Sequence, residues 1–203
     1  MTDPELAALA DELHRALPGR DLTCDLSDAL GHGESQDGGG ALPPGFRPLH
    51  SRRPFAGLAV TASPQDTELG AVYAALDLAP AGSVLVIGGP ATHAFWGERT
   101  TRAALGRGVR AAVLAGACRD VSAVHHLGFA VVCSGVTPLA GRRREGGAVQ
   151  VPLAVGGVLV YPGDLVVGDD NGVVVVPARR AAEIVPALLR ALPSALSPDR
   201  STP

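Results

Sequence analysis

The sequence predicts a mixed α/β fold, and three observations lead to that prediction. In the centre of the chain, short apolar runs alternate with stretches of helix length, which is the order of parallel strands joined by right-handed crossovers. The last third instead carries short Val-rich runs separated by turn residues, which indicates β-structure. The 203 residues are 46% hydrophobic and only 3% aromatic, so Val, Leu and Ala must fill most of the core.

The N-terminal part of the chain predicts two helices. Thr2 and Glu5 form a capping box, and leucines follow at helical spacing: Leu6, Leu9, Leu13 and Leu17. We therefore predict a helix over residues 3–17, ended by Pro18-Gly19, and a shorter helix over 25–30. Residues 31–54 are rich in Gly, Pro and Arg, and they predict either a long surface loop or an arm that reaches another subunit.

The remaining elements follow from apolar periodicity and turn residues. The centre predicts strands at 56–62, 83–87, 110–115 and 129–133, separated by helices at 66–78, 97–105 and 121–127. The last third predicts strands at 149–155, 158–160, 165–167 and 173–176. Asn171-Gly172 is the signal of a type I′ hairpin, and Pro177 opens a final helix. We expect a single domain over 1–193 and a flexible tail over 194–203.

Composition excludes several function classes. All 17 basic residues are Arg, so this chain supplies no lysine for a Schiff-base aldolase, a pyridoxal-phosphate enzyme or a P-loop. The net charge of −3 gives no large positive field for nucleic acid. Cys24, Cys118 and Cys133 form no CxxC pair, which favours reduced thiols over a zinc site. No signal peptide and no apolar run of about 18 residues is visible, so we expect a cytoplasmic protein without a membrane span.

The candidate site lies in two loops of one strand-helix-strand unit. If the strands at 83–87 and 110–115 are neighbours, the loops 88–98 and 116–120 lie side by side at the carboxyl edge of the sheet. This places Glu98, Arg119 and Asp120 within reach of one another and beside a helix N-terminus. Ligands of open α/β sheets bind in such crevices.

These groups have complementary chemical uses. The backbone N–H groups of Arg99 and Thr100 suit a small carboxylate, and the Arg119 guanidinium suits carboxylate or keto oxygens. Asp120 suits a hard divalent cation such as Mg²⁺, with Glu98 acting through bound waters. Together they would bind and polarise a 2-oxo acid. The alternative is that Arg119-Asp120 caps the following helix and that Glu98 only favours a helix start.

Other candidate residues are interpreted mainly as structural. His125 and His126 are adjacent on a predicted helix and point in different directions. Cys118 is interpreted as a small buried thiol, and Trp96 as packing its loop rather than stacking on a ligand. His93 precedes Glu98, so it is a weaker pocket candidate. Arg142-Arg143-Arg144 is interpreted as a solvated loop. Gly31-His32-Gly33 is not a dinucleotide-binding fingerprint. Asp169-Asp170-Asn171-Gly172 is interpreted as a hairpin turn.

Seven motifs spread over most of the chain carry a family resemblance. They are Ser27-Asp28-Ala29-Leu30, Ala75-Leu76-Asp77-Leu78-Ala79, Trp96-Gly97-Glu98, Gly108-Val109, Gly116-Ala117-Cys118-Arg119-Asp120, Gly135-Val136-Thr137-Pro138 and Pro162-Gly163-Asp164-Leu165-Val166-Val167. With them the chain resembles the RraA-like proteins and 4-hydroxy-4-methyl-2-oxoglutarate aldolases. The family signature of an acid, twenty residues and Arg-Asp is met by Glu98 and Arg119-Asp120.

The resemblance implies a swivelling β/α domain and a class II pyruvate aldolase that also decarboxylates oxaloacetate. It implies that substrate lies against Gly97, Glu98, Arg99 and Thr100, that Arg119 binds the pyruvyl group, and that Asp120 carries Mg²⁺ or Mn²⁺. It further implies a homotrimer or hexamer with sites at subunit interfaces. The alternative implied by other members is a non-catalytic regulator that binds and inhibits a ribonuclease or another protein.

The chain departs from the family pattern at three places. Ala123 stands where aldolases commonly have an acid, and Asn171 stands where many members have Asp. The helix after Glu98 begins Arg99-Thr100 rather than with apolar residues. An Arg added near the pocket predicts a preference for a more acidic substrate.

Overall fold

The computed structural model describes residues 3–31, 39–142 and 145–192, which form six helices and twelve strands. The helices are α1 (Pro4–Ala16), α2 (Leu22–Leu30), α3 (Gly70–Leu78), α4 (Glu98–Gly106), α5 (Val121–Leu127) and α6 (Ala178–Ala191). The first seven strands are β1 (Gly40–Ala41), β2 (Arg47–Pro48), β3 (Phe55–Ser63), β4 (Val84–Ile87), β5 (Ala94–Trp96), β6 (Ala111–Cys118) and β7 (Ala130–Val136). The others are β8 (Ala148–Val149), β9 (Leu153–Val155), β10 (Val158–Val160), β11 (Leu165–Asp169) and β12 (Gly172–Val176).

One large mixed sheet organises the molecule, in the order β1-β12-β11-β3-β4-β6-β7-β2. The central strands β3, β4, β6 and β7 are parallel, as the alternation of strands and helices predicts. The C-terminal strand β11 adds to this sheet antiparallel to β3, and β12 in turn pairs antiparallel with β11. Strand β5 pairs with the end of β6, β8 pairs with β3, and β9 and β10 form a separate hairpin. The predicted mixed α/β class with a β-rich last third is confirmed.

The segment between α2 and β3 makes the sheet curl. Strand β1 pairs with β12 at one edge, and β2 pairs with β7 at the opposite edge. Ala41 and Arg47 are six residues apart, a span of at most about 21 Å. Eight strands in a flat sheet would place the outer two about 34 Å apart. The stretch predicted as a loop or arm over 31–54 thus supplies two short strands, while its residues 32–38 lie outside the described part.

Three apolar clusters fill the fold. One lies inside the curl and is built from Val and Ala of the sheet together with Phe46 and Phe55. The second packs α3, α4 and α5 on the outer face of the parallel strands, where Trp96 stacks on Phe129 at 5.7 Å between ring centroids. The third packs α1, α2 and α6 against β3, β11 and β12. Trp96 is 1% exposed, so the prediction that it packs within the protein is confirmed.

Several predicted boundaries are wrong for identifiable backbone reasons. Helix α3 begins at Gly70 rather than at 66, because Asp66 has a φ of +49° and belongs to a turn. The strand predicted over 149–155 is split into β8 and β9, because Gln150 has a φ of +55°. Strand β5 lies in a stretch predicted as a loop, and it forms by pairing with β6.

The β11–β12 hairpin also differs from its prediction. Asp169 pairs with Gly172, so the connecting residues are Asp170 and Asn171, one position earlier than predicted. Neither has a positive φ, so the turn is not type I′, and Gly172 takes the positive φ instead.

Predictions for the two ends of the chain fall partly outside the described residues. Asp3 caps α1 through hydrogen bonds from the N–H groups of Glu5 and Leu6, whereas Thr2 of the predicted capping box lies outside the described residues. The tail predicted over 194–203 also lies outside them, and the single domain over 1–193 stays a prediction. No helix in the described ranges combines the length and apolar character needed to cross a membrane.

Candidate functional site

The predicted site residues meet at the carboxyl ends of β5 and β6. Strand β5 pairs with the end of β6, where Trp96 lies opposite Cys118, and the N–H of Arg119 donates to the Trp96 carbonyl at 2.9 Å. This pairing brings the first residues of α4 next to Arg119 and Asp120. The structure therefore brings Glu98, Arg119 and Asp120 together, as the topology predicts.

Asp120 holds the centre of the site in an unusual conformation. Its φ of +54° and ψ of +38° are left-handed, which costs free energy for any residue except Gly, although Asp and Asn tolerate it best. Its Oδ2 accepts hydrogen bonds from the Glu98 N–H at 3.1 Å and from Arg119 Nε at 3.3 Å. Asp120 occupies the N-cap position of α5, but its side chain makes no capping bond there. The alternative in which it caps α5 is therefore wrong.

Gly97 is required by the closeness of Asp120. A Cβ atom on Gly97 would lie 2.6 Å from Asp120 Oδ2 and 3.0 Å from Arg119 Cγ. Its φ of −175° is ordinary extended backbone, so space and not conformation explains this glycine. Any side chain here would push the carboxylate off the N-terminus of α4.

Two buried threonines fix the start of α4. Thr100 Oγ1 accepts from the Gly97 N–H at 2.9 Å and approaches the Gly97 carbonyl at 3.0 Å. The indole N–H of Trp96 donates to Thr101 Oγ1 at 2.8 Å. The Thr100 side chain is thus used within the protein, and only its backbone N–H suits a ligand, as the sequence predicts for a helix N-terminus.

Glu98 contributes its backbone more directly than its carboxylate. Its N–H binds Asp120, whereas its Oε1 forms an ion pair with Arg102 Nη2 at 2.8 Å, one turn further along α4. The Glu98 side chain is 41% exposed. This acid therefore lies beside the site with its carboxylate turned toward Arg102.

A cavity of about 260 Å³ opens next to these residues. Its walls contain Gly97, Arg99, Thr100, Arg119 and Asp120 from the predicted set, together with Leu69, Tyr73, Ala94, Phe95, Trp96, Ala140 and Gly141. The last two approach through hydrogen bonds of the Ala94 N–H with the Leu139 carbonyl and of the Gly141 N–H with the Ala94 carbonyl. Leu69, Tyr73, Ala140 and Gly141 were missed, because no local pattern links α3 or the segment after β7 to this loop.

Arg119 and Asp120 also line a second cavity, which is open and mainly apolar. A shallower cavity of about 440 Å³ contains both residues together with Val121, Val136, Thr137 and Pro138. Val136 is 60% exposed and the neighbouring Leu139 54% exposed, which is high for large apolar side chains. Asp120 therefore lies between a lined cavity and an exposed apolar surface.

The weaker candidates make contacts within the protein. Burial raises the pKa of the Cys118 thiol to about 12, so it is an inert core thiol as predicted. His93 contacts Thr92 Oγ1, and His126 contacts the Ser122 carbonyl. His125 packs on His50 at 4.3 Å between ring centroids. Within the described ranges, no group of three or more His, Cys, Asp or Glu residues could hold a metal.

The other motifs are equally structural where they are described. Asp169 is 6% exposed and binds the Thr23 N–H and hydroxyl, so Asp169–Gly172 is a hairpin anchored to α2. Gly31 ends α2 with a φ of +79°, and Arg142 binds Thr67 through backbone atoms. His32, Gly33, Arg143 and Arg144 lie outside the described residues.

A larger cavity, of about 410 Å³, lies at the opposite end of β4. Of the described residues that line it, only Asp11 is acidic, and Asp11 forms an ion pair with Arg110. The remaining walls are mainly Ala, Leu, Pro and Gly. The chemistry predicted from the sequence is therefore in the smaller cavity.

Comparisons with known proteins identify the family of the chain. The family model "RraA-like: Aldolase/RraA" matches residues 23–175, more than half of the chain. A 4-hydroxy-4-methyl-2-oxoglutarate aldolase of Thermus thermophilus is 33% identical over 158 residues, covering 76% of this chain and 92% of that protein. Protein DlpA of Legionella pneumophila is 37% identical over 113 residues, but they are 54% of this chain and only 18% of DlpA.

A solved structure extends the similarity to nearly the full fold. It is Streptomyces coelicolor RraAS2, described as an unusual member of the RNase ES inhibitor RraA protein family. The two chains are 33% identical with a TM-score of 0.71, and the match covers 93% of this chain and 92% of that one. The chain is thus similar in sequence to relatives with aldolase names and in structure to a relative described as an RNase inhibitor family member.

Proposed function

The chain belongs to the RraA-like family, and from this premise we propose that it is a divalent-metal-dependent lyase that cleaves a carbon–carbon bond in a 2-oxo acid and releases pyruvate. The substrates are of the 4-hydroxy-4-methyl-2-oxoglutarate or oxaloacetate type. One observation carries this proposal: the Asp120 carboxylate is held beside Arg119 and the N-terminus of α4, in the wall of a cavity. This juxtaposes a ligand for a cation with two groups that bind anions.

The donor set fits a largely hydrated cation. Asp120 Oδ2 is occupied by two N–H donors, whereas Oδ1 accepts no hydrogen bond from a described residue. The Asp120 side chain is 33% exposed, so Oδ1 is within reach of a ligand. Mg²⁺ keeps several waters and takes one or two protein carboxylates, so Asp120 as direct ligand and Glu98 acting through water suffice for Mg²⁺ or Mn²⁺.

Each residue then has a defined role in cleavage. Arg119 binds the carboxylate and keto oxygens of the pyruvyl group through its planar guanidinium. The N–H groups of Arg99 and Thr100, at the positive end of α4, bind a substrate carboxylate. Glu98 orients bound water once its carboxylate turns away from Arg102. A bound divalent cation supplies Lewis-acid stabilisation of the charge that develops on the keto oxygen as the bond breaks.

The assembly belongs to the same proposal. The exposed apolar side chains Val121 and Val136 line the open cavity with Arg119 and Asp120, and such surfaces are typical of protein interfaces. We propose that they lie in a homotrimer or hexamer. The same surface, together with the inhibitor description of a structural relative, supports the second candidate function, a non-catalytic regulator that binds a ribonuclease or other protein.

Pyruvate release tests the lyase proposal. Metal-stripped protein is assayed with 4-hydroxy-4-methyl-2-oxoglutarate and with oxaloacetate, with and without Mg²⁺ or Mn²⁺. Free metal decarboxylates oxaloacetate by itself, so Asp120→Ala protein is assayed in parallel. We expect turnover that requires both the metal and Asp120. Equal rates for the two proteins would reject the lyase and favour the regulator, which a pull-down with a ribonuclease then tests directly.

A further inference from the structure

The proposed reaction needs a proton donor in the cavity of about 260 Å³. When a 4-hydroxy-2-oxo acid is cleaved, the electron pair of the C3–C4 bond forms the enolate of pyruvate, and the C4 hydroxyl loses its proton to become a carbonyl. When oxaloacetate loses CO₂, the bond to the leaving carboxylate gives the same enolate. Both reactions end when C3 of the enolate accepts a proton.

The charged side chains in the cavity wall do not donate this proton. They are Arg99, Arg119 and Asp120. A guanidinium is too weak an acid to give up a proton in a protein, so neither arginine is the donor. Asp120 accepts hydrogen bonds from the Glu98 N–H and from Arg119 Nε, as an ionised carboxylate does. A donor in the wall must therefore be a neutral side chain.

Tyr73 is the neutral polar side chain of this wall that is not already used within the protein. The Thr100 hydroxyl is bonded to Gly97, and the indole N–H of Trp96 donates to Thr101 Oγ1. The Tyr73 hydroxyl, in contrast, forms no hydrogen bond with any residue that the structure describes. Its proton is therefore available to a ligand.

The start of α3 holds the Tyr73 ring in place through backbone bonds. The Tyr73 N–H donates to the Leu69 carbonyl, and the Leu69 N–H donates to the Arg142 carbonyl after β7. Leu69 and Tyr73 are four residues apart, so they share a helix face, and both line the cavity. The half-buried ring packs on the apolar cluster of α3, α4 and α5. The hydroxyl stays accessible, since the buried unpaired polar atoms of the described residues include His50 Nε2 and not this oxygen.

We propose that Tyr73 is a catalytic residue whose phenol hydroxyl donates the proton to C3 of the pyruvate enolate. The inference rests on the proposed function for the reaction itself. The O–H bond of Tyr73 breaks as the C3–H bond forms, and the resulting phenolate takes a proton from solvent. In cleavage of the hydroxy acid, solvent has received one proton from the C4 hydroxyl, so the protons balance. In decarboxylation one proton is consumed.

Hydrogen exchange at the methyl group of pyruvate isolates this proton transfer from bond cleavage. A group that protonates the enolate also removes the same proton in reverse, so pyruvate in D₂O gains deuterium. Proton NMR follows this exchange with Mg²⁺ for the wild type, Tyr73→Phe and Tyr161→Phe, with Mg²⁺ alone as the blank. Pyruvate release is measured in parallel. Tyr161 is the matched control, because it is the second of the two tyrosines and does not line the cavity.

We expect Tyr73→Phe to lower both the exchange rate and pyruvate release on the order of 100-fold, whereas Tyr161→Phe keeps the wild-type rates. Oxalate carries the paired oxygens of the enolate but no carbon that accepts a proton. Its dissociation constant, measured by titration calorimetry in Mg²⁺ buffer, should change by less than about twofold in Tyr73→Phe. A loss of exchange below about tenfold would overturn the assignment. Loss of oxalate binding together with exchange would also overturn it, because Tyr73 would then only shape the site.

The two proposals fail in different ways. A wild type that neither releases pyruvate nor exchanges its methyl protons overturns both the lyase and the role of Tyr73. A wild type that releases pyruvate, with Tyr73→Phe equally active in exchange, leaves the lyase in place and overturns the role of Tyr73 alone.

Discussion

Among the described residues, three carboxylates reach across to the N-terminus of a helix that lacks a side-chain cap of its own. Asp169 binds the N–H and hydroxyl of Thr23 in α2, Asp164 binds the Ala178 N–H in α6, and Asp120 binds the Glu98 N–H in α4. In the first two, both carboxylate oxygens accept hydrogen bonds. In Asp120 a single oxygen accepts both bonds.

Burial separates the three further. Asp164 and Asp169 are 3% and 6% exposed, whereas the Asp120 side chain is 33% exposed and its backbone is left-handed. The same device therefore serves two purposes. Where the carboxylate is enclosed and fully hydrogen-bonded, it fastens a helix to the sheet. Where it is half-satisfied and held in a strained backbone, it is available to a ligand.

The largest expected effect separates activity from stability at Asp120. Asn tolerates the left-handed backbone and its amide oxygen still accepts from Glu98, so Asp120→Asn should change the free energy of unfolding by less than about 0.5 kcal/mol. It removes the charge that binds the cation, so metal-dependent pyruvate release should fall on the order of 1,000-fold, about 4 kcal/mol. Steady-state kinetics and urea unfolding measure the two quantities. A large loss of stability in Asp120→Asn would instead show that Asp120 has a structural role like that of Asp169.

The second effect comes from the space around Asp120. Gly97→Ala places a Cβ within 2.6 Å of Asp120 Oδ2, and displacing that carboxylate by an ångström should lower kcat/KM about 100-fold. The control is Gly106→Ala on the same helix, where an added Cβ meets nothing within 4 Å. That variant should keep full activity. Similar kinetics for both variants would show that Asp120 tolerates displacement.

The third effect concerns the enclosed carboxylate. Asp169→Ala leaves the N–H groups of Thr23 and Asn171 without their acceptor, so we expect a loss of about 2 kcal/mol in the free energy of unfolding. Asp170→Ala, one residue on, removes one exposed bond from the Arg52 N–H and should cost well under half as much. Urea denaturation compares the two. Equal losses of unfolding free energy in Asp169→Ala and Asp170→Ala would contradict the distinction between buried and exposed carboxylates.

The smallest effect is a pH dependence at Asp164. Burial raises the pKa of this carboxyl above its usual 3.8, so its ionisation penalises the folded state. The stability linked to its protonated form is complete below about 3.8 and declines as the pH rises through the raised pKa. The wild type should therefore lose stability relative to Asp164→Asn from pH 4 to pH 7, as urea unfolding at each pH would measure. A gain of wild-type stability relative to the variant over this range would contradict burial as the dominant cause.

Local sequence patterns predicted most helices and strands, but not the tertiary contacts that bring distant elements together. The 121–127 helix and the central strands follow from apolar periodicity, because each is determined by its own side chains. The start of α3 and the split at Gln150 depend on left-handed residues that carry no glycine signal. The Glu98, Arg119 and Asp120 cluster was predictable because adjacent parallel strands end at one edge. Tyr73 and Ala140 were not, because tertiary contacts alone bring α3 and the segment after β7 to the cavity.

The pairing of the short strand β1 with β12 has a consequence for synthesis on the ribosome. Strand β1, at residues 40 and 41, pairs with residues 174 and 175 of β12, so its partner emerges more than 130 residues later. The parallel strands β3, β4, β6 and β7 are all made before that point, but a domain folds as a unit, so the sheet stays incomplete until β12 has emerged. The β1 segment therefore remains unpaired until β12 has been synthesised. Contacts between such distant parts of the chain also slow folding. The nascent chain closes its sheet last.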